Sequence, residues 1–175
     1  MHFLVCFIFS LILFSCSNQD TEEYVDLEKW NKKKSLSFNK ARLKEEDLQI
    51  KIFLEGRQDL KMDSTGTGLR YMIYENGDGL KPLPGDSADV QMTVSLLDGT
   101  VCYRTDSAEL DQFLIDRSHV ETGIQEVIKL MKVGDRSKLI LPSHLAHGLL
   151  GDFKKIPPMA VLFVDIYLHD VIKPF

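Results

Sequence analysis

The sequence is poor in cysteine, carries no excess of basic charge and has only one long apolar run, and each shortage excludes something. Three cysteines in 175 residues, Cys6, Cys16 and Cys102, do not make a disulfide framework. Twenty-one basic residues against 26 acidic ones leave a net charge of -5, without the concentrated basic surface that nucleic acid demands. No nucleic-acid partner is expected. The apolar run, Phe3 to Phe14, is broken only by Ser10. At ~1.5 Å per residue it covers roughly 18 Å, well short of a ~30 Å hydrocarbon core. What is present is ordinary for one folded domain with extra material at an end: 44% hydrophobic and 27% charged residues.

The opening run has the length of the h-region of a secretory signal. Leu13-Phe14-Ser15-Cys16 resembles a bacterial lipobox, in which the cysteine takes a diacylglycerol and becomes the new N-terminus. Polar residues follow at once, from Ser17 to Asp20. The expected organisation is a lipoprotein signal peptide over 1–15, a lipidated N-terminus, tether and helix over 16–65, and a folded domain over 66–175. The expected location is the bacterial cell envelope, lipid-anchored at Cys16 to a membrane, the outer one by expectation, with the domain in the periplasm. Acyl chains contribute ~0.8 kcal/mol per buried CH₂. With Cys6 removed and Cys16 lipidated, Cys102 is left without a partner.

Thr21 to Glu46 is highly polar, with opposed charge blocks at Lys32-Lys33-Lys34 and Glu45-Glu46-Asp47, as in a tether. Tyr24, Leu27 and Trp30 recur every three residues and could line a short helical face. A second helix is expected from Leu43 to Leu60, where Leu48 pairs with Ile52 and Ile50 with Leu54 at i,i+4. Whether it packs on the domain or forms a dimer with a second subunit is open at this point.

From Leu69 the period changes to two. Leu69, Tyr71 and Ile73 alternate with Arg70, Met72 and Tyr74, and Val90, Met92, Val94 and Leu96 with Gln91, Thr93 and Ser95; Ser137, Leu139 and Leu141 follow as a strand. Leu162, Val164, Ile166 and Leu168 form the clearest strand. Asp98-Gly99 is a two-residue hairpin signal, with Val101 to Tyr103 beginning the return strand. Ile124, Val127, Ile128 and Met131 fall at i, i+3, i+4 and i+7, a short helix from Gly123 to Met131. The pattern predicts an α+β domain, an antiparallel β-sheet curled over one short α-helix, with a charged helical leader before it. The stiff loop Ile156-Pro157-Pro158 would wall a shallow apolar cleft.

Catalytic side chains are scarce. His144 and His147 lack a third or fourth ligand at a recognisable spacing, so no metal is expected. Cys102 sits between strand residues and reads as a small buried hydrophobe. Gly77-x-Gly79 and Gly148-x-x-Gly151 do not supply a dinucleotide fingerprint. No cofactor is expected.

Taken in order, Gly77-Asp78-Gly79, Pro84-Gly85-Asp86, Leu96-Leu97-Asp98-Gly99-Thr100, Met131 to Arg136, Leu141-Pro142-Ser143, Ala146-His147-Gly148, Ile156-Pro157-Pro158 and Leu162 to Asp165 resemble the FKBP family of peptidyl-prolyl cis-trans isomerases. The resemblance covers about 107 residues, Gly66 to Ile172. The lipobox, the charged leader and Gly68-Leu69-Arg70-Tyr71 further resemble lipoprotein members from Bacteroidetes, including isomerase-like proteins associated with gliding motility.

The resemblance implies an FKBP-like fold and a proline-binding pocket. Its positions fall on Met92, Cys102, Tyr103, Phe113, Val120, Glu121, Ile124, His147, Ile156 and Val164. Several aromatic positions of the family are substituted here, among them the floor tryptophan, replaced by Ile124. The implied activity is isomerisation of X–Pro bonds in envelope proteins, by stripping water from the amide and stabilising its twisted form. Tyr103 and His147 are the expected hydrogen-bond donors to the rotating carbonyl. The implied partners are proline-containing or partly unfolded envelope polypeptides. The alternative is a catalytically weak or inactive client-binding module, and a third outcome is a lipoprotein whose sheet is a filled scaffold.

Overall fold

The computed structural model describes residues 32–105 and 109–174. The signal peptide, the lipidation site Cys16 and the Tyr24-Leu27-Trp30 face lie outside the described residues. By packing, the chain divides into two units, Met1–Ser37 and Phe38–Phe175. Of the first, Lys32 to Ser37 are described; they are helical, and the Ser37 hydroxyl donates to the Lys34 carbonyl at 2.8 Å.

Helix α1 runs Lys32–Glu55, longer at its start and shorter at its end than the hydrophobic pairs predict. Of the two pairs, Ile50 is 3% exposed and Leu54 partly buried, whereas Leu48 and Ile52 are 57% and 61% exposed. One stripe of the helix therefore packs and the other faces outward.

Among the described residues the strands are β1 (Asp63–Ser64), β2 (Arg70–Glu75), β3 (Ser87–Leu96), β4 (Val101–Arg104), β5 (Asp111–Leu114), β6 (Arg136–Leu141) and β7 (Leu162–Ile172). They form one antiparallel sheet in the order β1-β2-β6-β7-β3-β4, with β5 also pairing β3. The expected curled sheet wrapped over one short helix is corrected here. The order runs from one edge to the other and no pairing returns from β4 or β5 to β1, so the sheet is neither curled nor closed. The chain after β4 comes back to β3, pairing Ala88 with Phe113, instead of crossing to the far edge.

The question of where the leader helix packs is answered by apolar contacts on the second face of the sheet. Helix α2 (Thr122–Ile128) buries Ile124, Val127 and Ile128 against Leu139, Leu141, Val164 and Ile166. On the other face, Ile50 packs with Ile140 and Val161, and the Phe53 ring lies 5.4 Å from that of Phe163, tilted by 54°. Leu139, Ile140 and Leu141 are all fully buried, as central strands sandwiched on both sides must be.

Two sequence motifs owe their spacing to packing. A Cβ on Gly77 would stand 2.2 Å from the Val133 carbonyl oxygen, so only glycine lets this turn approach Val133-Gly134. Asp135 ties the two turns, accepting the Gly77 N–H at 2.6 Å and the Lys132 N–H at 2.8 Å. The Asp98-Gly99 turn differs from expectation. Gly99 takes φ +92° but Asp98 does not adopt positive φ, and Leu96 accepts the Gly99 N–H at 3.0 Å. The strands thus stop at Leu96 and resume at Val101, leaving four turn residues instead of two.

Candidate active site

Between α2 and its face of the sheet lies a cavity of about 540 Å³ that opens to solvent, within the usual ~300–1,000 Å³ range of ligand pockets. Its apolar lining comes from Met92 and Val94 on β3, Leu141 on β6, Leu162 and Val164 on β7, and Val120 and Ile124 at α2. Each strand residue points inward because strand side chains alternate faces. Helix α2 can approach this closely because Gly123 meets β6 there: a Cβ would stand 2.5 Å from Leu141 Cδ2. The rest of the lining is mostly polar: Tyr103, Arg104, Thr105, Glu109, Asp111 and Gln112 around β4 and β5, with Leu110 and Phe113 among them, and Glu121 at the start of α2.

Of the ten positions singled out from sequence, seven line this cavity: Met92, Tyr103, Phe113, Val120, Glu121, Ile124 and Val164. Phe113 and Ile124 are also part of the buried core. Cys102, His147 and Ile156 do not line it. Cys102 is buried beneath the wall, with Sγ 3.6 Å from the Lys155 carbonyl oxygen. Desolvation, with the nearby Asp152 charge, pushes its thiol up, away from the reactive thiolate. Ile156 is buried in the core, and its N–H donates to Asp152 at 2.8 Å. His147 stands at the edge, with Nε2 2.8 Å from Glu121 Oε1. His144 turns elsewhere, to the Thr67 carbonyl at 2.9 Å. Among the described residues no group of three or more His, Cys, Asp and Glu is placed to hold a metal.

Tyr103 carries the most organised polar contact of the wall. Its hydroxyl donates to Asp152 Oδ2 in a short hydrogen bond. Asp152 Oδ1 accepts the N–H groups of Lys154, Lys155 and Ile156 at 2.8, 2.9 and 2.8 Å. Desolvation opposes ionisation of Asp152, but the Tyr103 hydroxyl and three backbone donors outweigh it and hold the carboxyl well below the usual carboxylate range. The same hydrogen bond, with desolvation, pushes the Tyr103 phenol up. The Lys155 ammonium lies 5.0 Å from the centre of the Tyr103 ring.

Sequence reasoning missed Thr105, Asp111 and Asp152. The Thr105 hydroxyl donates to Asp111 and accepts the Met92 N–H at 3.0 Å, closing the gap between β4 and β5 along β3. No periodic pattern marks these residues. The one available signal was Asp152 two positions before Lys154, the spacing of an Asx turn.

An apolar floor beside hydrogen-bonding groups makes a concave site open to solvent. Residues 79–169, just over half of the chain, match the family described as FKBP-type peptidyl-prolyl cis-trans isomerase. The chain belongs to that family. It is 29% identical over 123 residues to the FKBP-type 22 kDa peptidyl-prolyl cis-trans isomerase of Escherichia coli, covering 70% of this chain and 59% of that protein. It is 34% identical over 107 residues to the Outer membrane protein MIP of Legionella longbeachae, covering 61% and 46%. The crystal structure of FkpA from Escherichia coli superimposes with a TM-score of 0.65 at 28% identity, covering 79% of this chain and 64% of that one. The chain thus spans less than two thirds of these proteins' own lengths.

Proposed function

We propose that this protein is a peptidyl-prolyl cis-trans isomerase acting on proline-containing polypeptides, and that the cavity between α2 and the sheet receives the prolyl ring. The observation that carries the proposal is the open cavity of about 540 Å³ with an apolar floor in a member of this family. X–Pro bonds isomerise over tens to hundreds of seconds unaided, because rotation sacrifices amide resonance behind a barrier of ~18–20 kcal/mol. Resonance is strongest when water stabilises the polar planar amide. Met92, Val120, Ile124 and Val164 would displace that water and favour the less polar, twisted form.

The hydrogen-bonding roles proposed for Tyr103 and His147 are supported by the polar contacts each makes beside the cavity. Substrate would compete with Asp152 for the Tyr103 hydroxyl, while Glu121 fixes the His147 ring at the mouth. Cys102 and Ile156 would support the wall from beneath.

The test is the cis-to-trans rate of short X–Pro peptides with and without protein lacking its first 16 residues. Acceleration proportional to protein concentration is expected. No acceleration across several residues X overturns the catalytic proposal, and peptide binding without acceleration selects the client-holding alternative.

We further propose that the chain is lipidated at Cys16 and works on envelope polypeptides. The lipobox-like residues 13–16 support this, as does the likeness to a protein named for the outer membrane. No helix among the described residues is long and apolar enough to cross a membrane. The narrower likeness to Bacteroidetes lipoproteins rests on the lipobox, the leader and Gly68-Leu69-Arg70-Tyr71. Cys16→Ala is expected to move the protein from the membrane to the soluble fraction; unchanged membrane association would count against the anchor.

A further inference from the structure

We propose that Glu46, on α1 and outside the residues that match the family, is a positioning residue for the pocket mouth, making α1 a working part of the site. The proposal rests on the pocket assignment above only where rates are measured.

Glu46 is a carboxylate 6% exposed, buried where α1 meets the turn after β6. Each group hydrogen-bonded to it is a donor. Its Oε2 accepts the Ser143 backbone N–H at 3.0 Å, and its Oε1 accepts the Ser143 hydroxyl at 2.6 Å and Arg42 Nη2 at 2.9 Å. Arg42 Nη2 also reaches Ser143 Oγ at 3.0 Å. An ionised carboxylate is acceptor-only, so it matches this all-donor shell as no neutral side chain of its size does. A charged group this buried would be a poor choice for stability alone, since its desolvation offsets much of the gain.

Ser143 is the hub of the segment that presents His147. Its carbonyl accepts the Ala146 N–H at 3.0 Å and the Gly148 N–H at 2.8 Å, closing the loop on both sides of His147. His147 in turn holds Glu121 at 2.8 Å, and Glu121 lines the cavity. An unbroken series of contacts therefore runs from Arg42 and Glu46 through Ser143 and His147 to the cavity wall. The Glu46 carboxylate fixes Ser143; Ser143 fixes the backbone around His147; His147 fixes Glu121. Loss of the first contact leaves the apolar floor intact and lets the mouth move.

The experiment compares the natural protein with Glu46→Gln and Val171→Ala. Val171 is a buried core residue near the end of β7 that does not line the cavity, and its truncation controls for general loss of stability. In Glu46→Gln an amide NH₂ must face one of the donors. The expected result is that the His147 side-chain NMR resonances shift and broaden. kcat/KM for X–Pro peptides is expected to fall roughly tenfold, short of the ~100-fold that a 1 Å misplacement at a reacting centre can cost. Val171→Ala is expected to do neither. If Glu46→Gln leaves both readouts unchanged, or Val171→Ala moves them equally, the proposal is overturned. Should Glu46→Gln fail to fold, Ser143→Ala removes one of the two Ser143 donors and should produce a smaller change in the same resonances; no change overturns the proposal. If the natural protein does not accelerate isomerisation, the functional assignment falls while the His147 resonances still decide the role of Glu46.

Discussion

The two faces of the sheet are built from the same strands and solve different problems. On one face α2 and the strands make a continuous apolar core that stops short of filling its own mouth, leaving the cavity. On the other, α1 seals a smaller apolar cluster around Ile50, Ile140 and Val161, with a buried ionic group, Glu46, beside it. The α2 face devotes its largest side chains to stability and leaves a concave remainder for binding. The α1 face contributes less apolar burial and adds a directional contact to the loop that borders the cavity. The short helix shares the floor with the strands, and in the proposal above the long helix steadies the mouth.

Truncating the centre of each face sharpens this contrast. Ile124→Ala removes a side chain that is both core and cavity floor, and is expected to cost about 2–5 kcal/mol, as buried large-to-small changes do. Isomerisation should fall in parallel, because the floor loses the surface that displaces water. Ile50→Ala, in the smaller cluster, is expected near the low end of that range, about 2 kcal/mol, with peptide turnover less affected. Urea unfolding of the two variants with matched rate measurements checks both. If Ile50→Ala were the more damaging to turnover, the division between floor and support would be wrong.

How much of this was legible in the sequence follows from which forces leave a local trace. The strand Leu162 to Leu168 and the helix around Ile124 were readable because one buried face imposes a period on the residues themselves. Ile140 was readable only in part: with Leu139 and Leu141 it makes an apolar run that breaks the alternation and marks burial on both faces, but not what covers it. Its burial depends on a partner about ninety positions earlier, which is also why the sequence left open where α1 packs. The openness of the sheet was hidden for the same reason, since strand order depends on where β5 returns, and four residues carry no signal of their destination. At the site, the ordered turns identified the family and placed seven side chains around the cavity. The Tyr103–Asp152 and Glu46–Ser143 contacts join residues 49 and 97 positions apart, and no period or spacing encodes them.

Asp152 offers a smaller and pH-dependent test of the mouth. Its carboxyl is depressed in the folded state, so its contribution is fully present above the unfolded value of ~3.9 and is lost as pH falls through the lower folded value. Asp152→Asn should therefore be less stable than the natural protein by a constant amount above about pH 5, and the gap should narrow below about pH 4. Stability measured across that acid range checks the sign. A gap that widened in acid would mean that Asp152 is not held ionised by Tyr103 and the loop N–H groups.

The smallest expected effect lies on the outward stripe of α1. Leu48 and Ile52 form an i,i+4 apolar pair as regular as Ile50 and Leu54, yet they are the exposed pair. For exposed side chains, truncation to alanine should change stability by no more than about 0.5 kcal/mol, a fraction of the Ile50→Ala cost. The Leu48→Ala, Ile52→Ala double variant, unfolded at two protein concentrations, separates burial from mere hydrophobicity. A small change independent of concentration is the outcome for a stripe that faces solvent. A loss that grows at high concentration would show that a second copy covers it, turning the outer side of α1 from a bare surface into an interface.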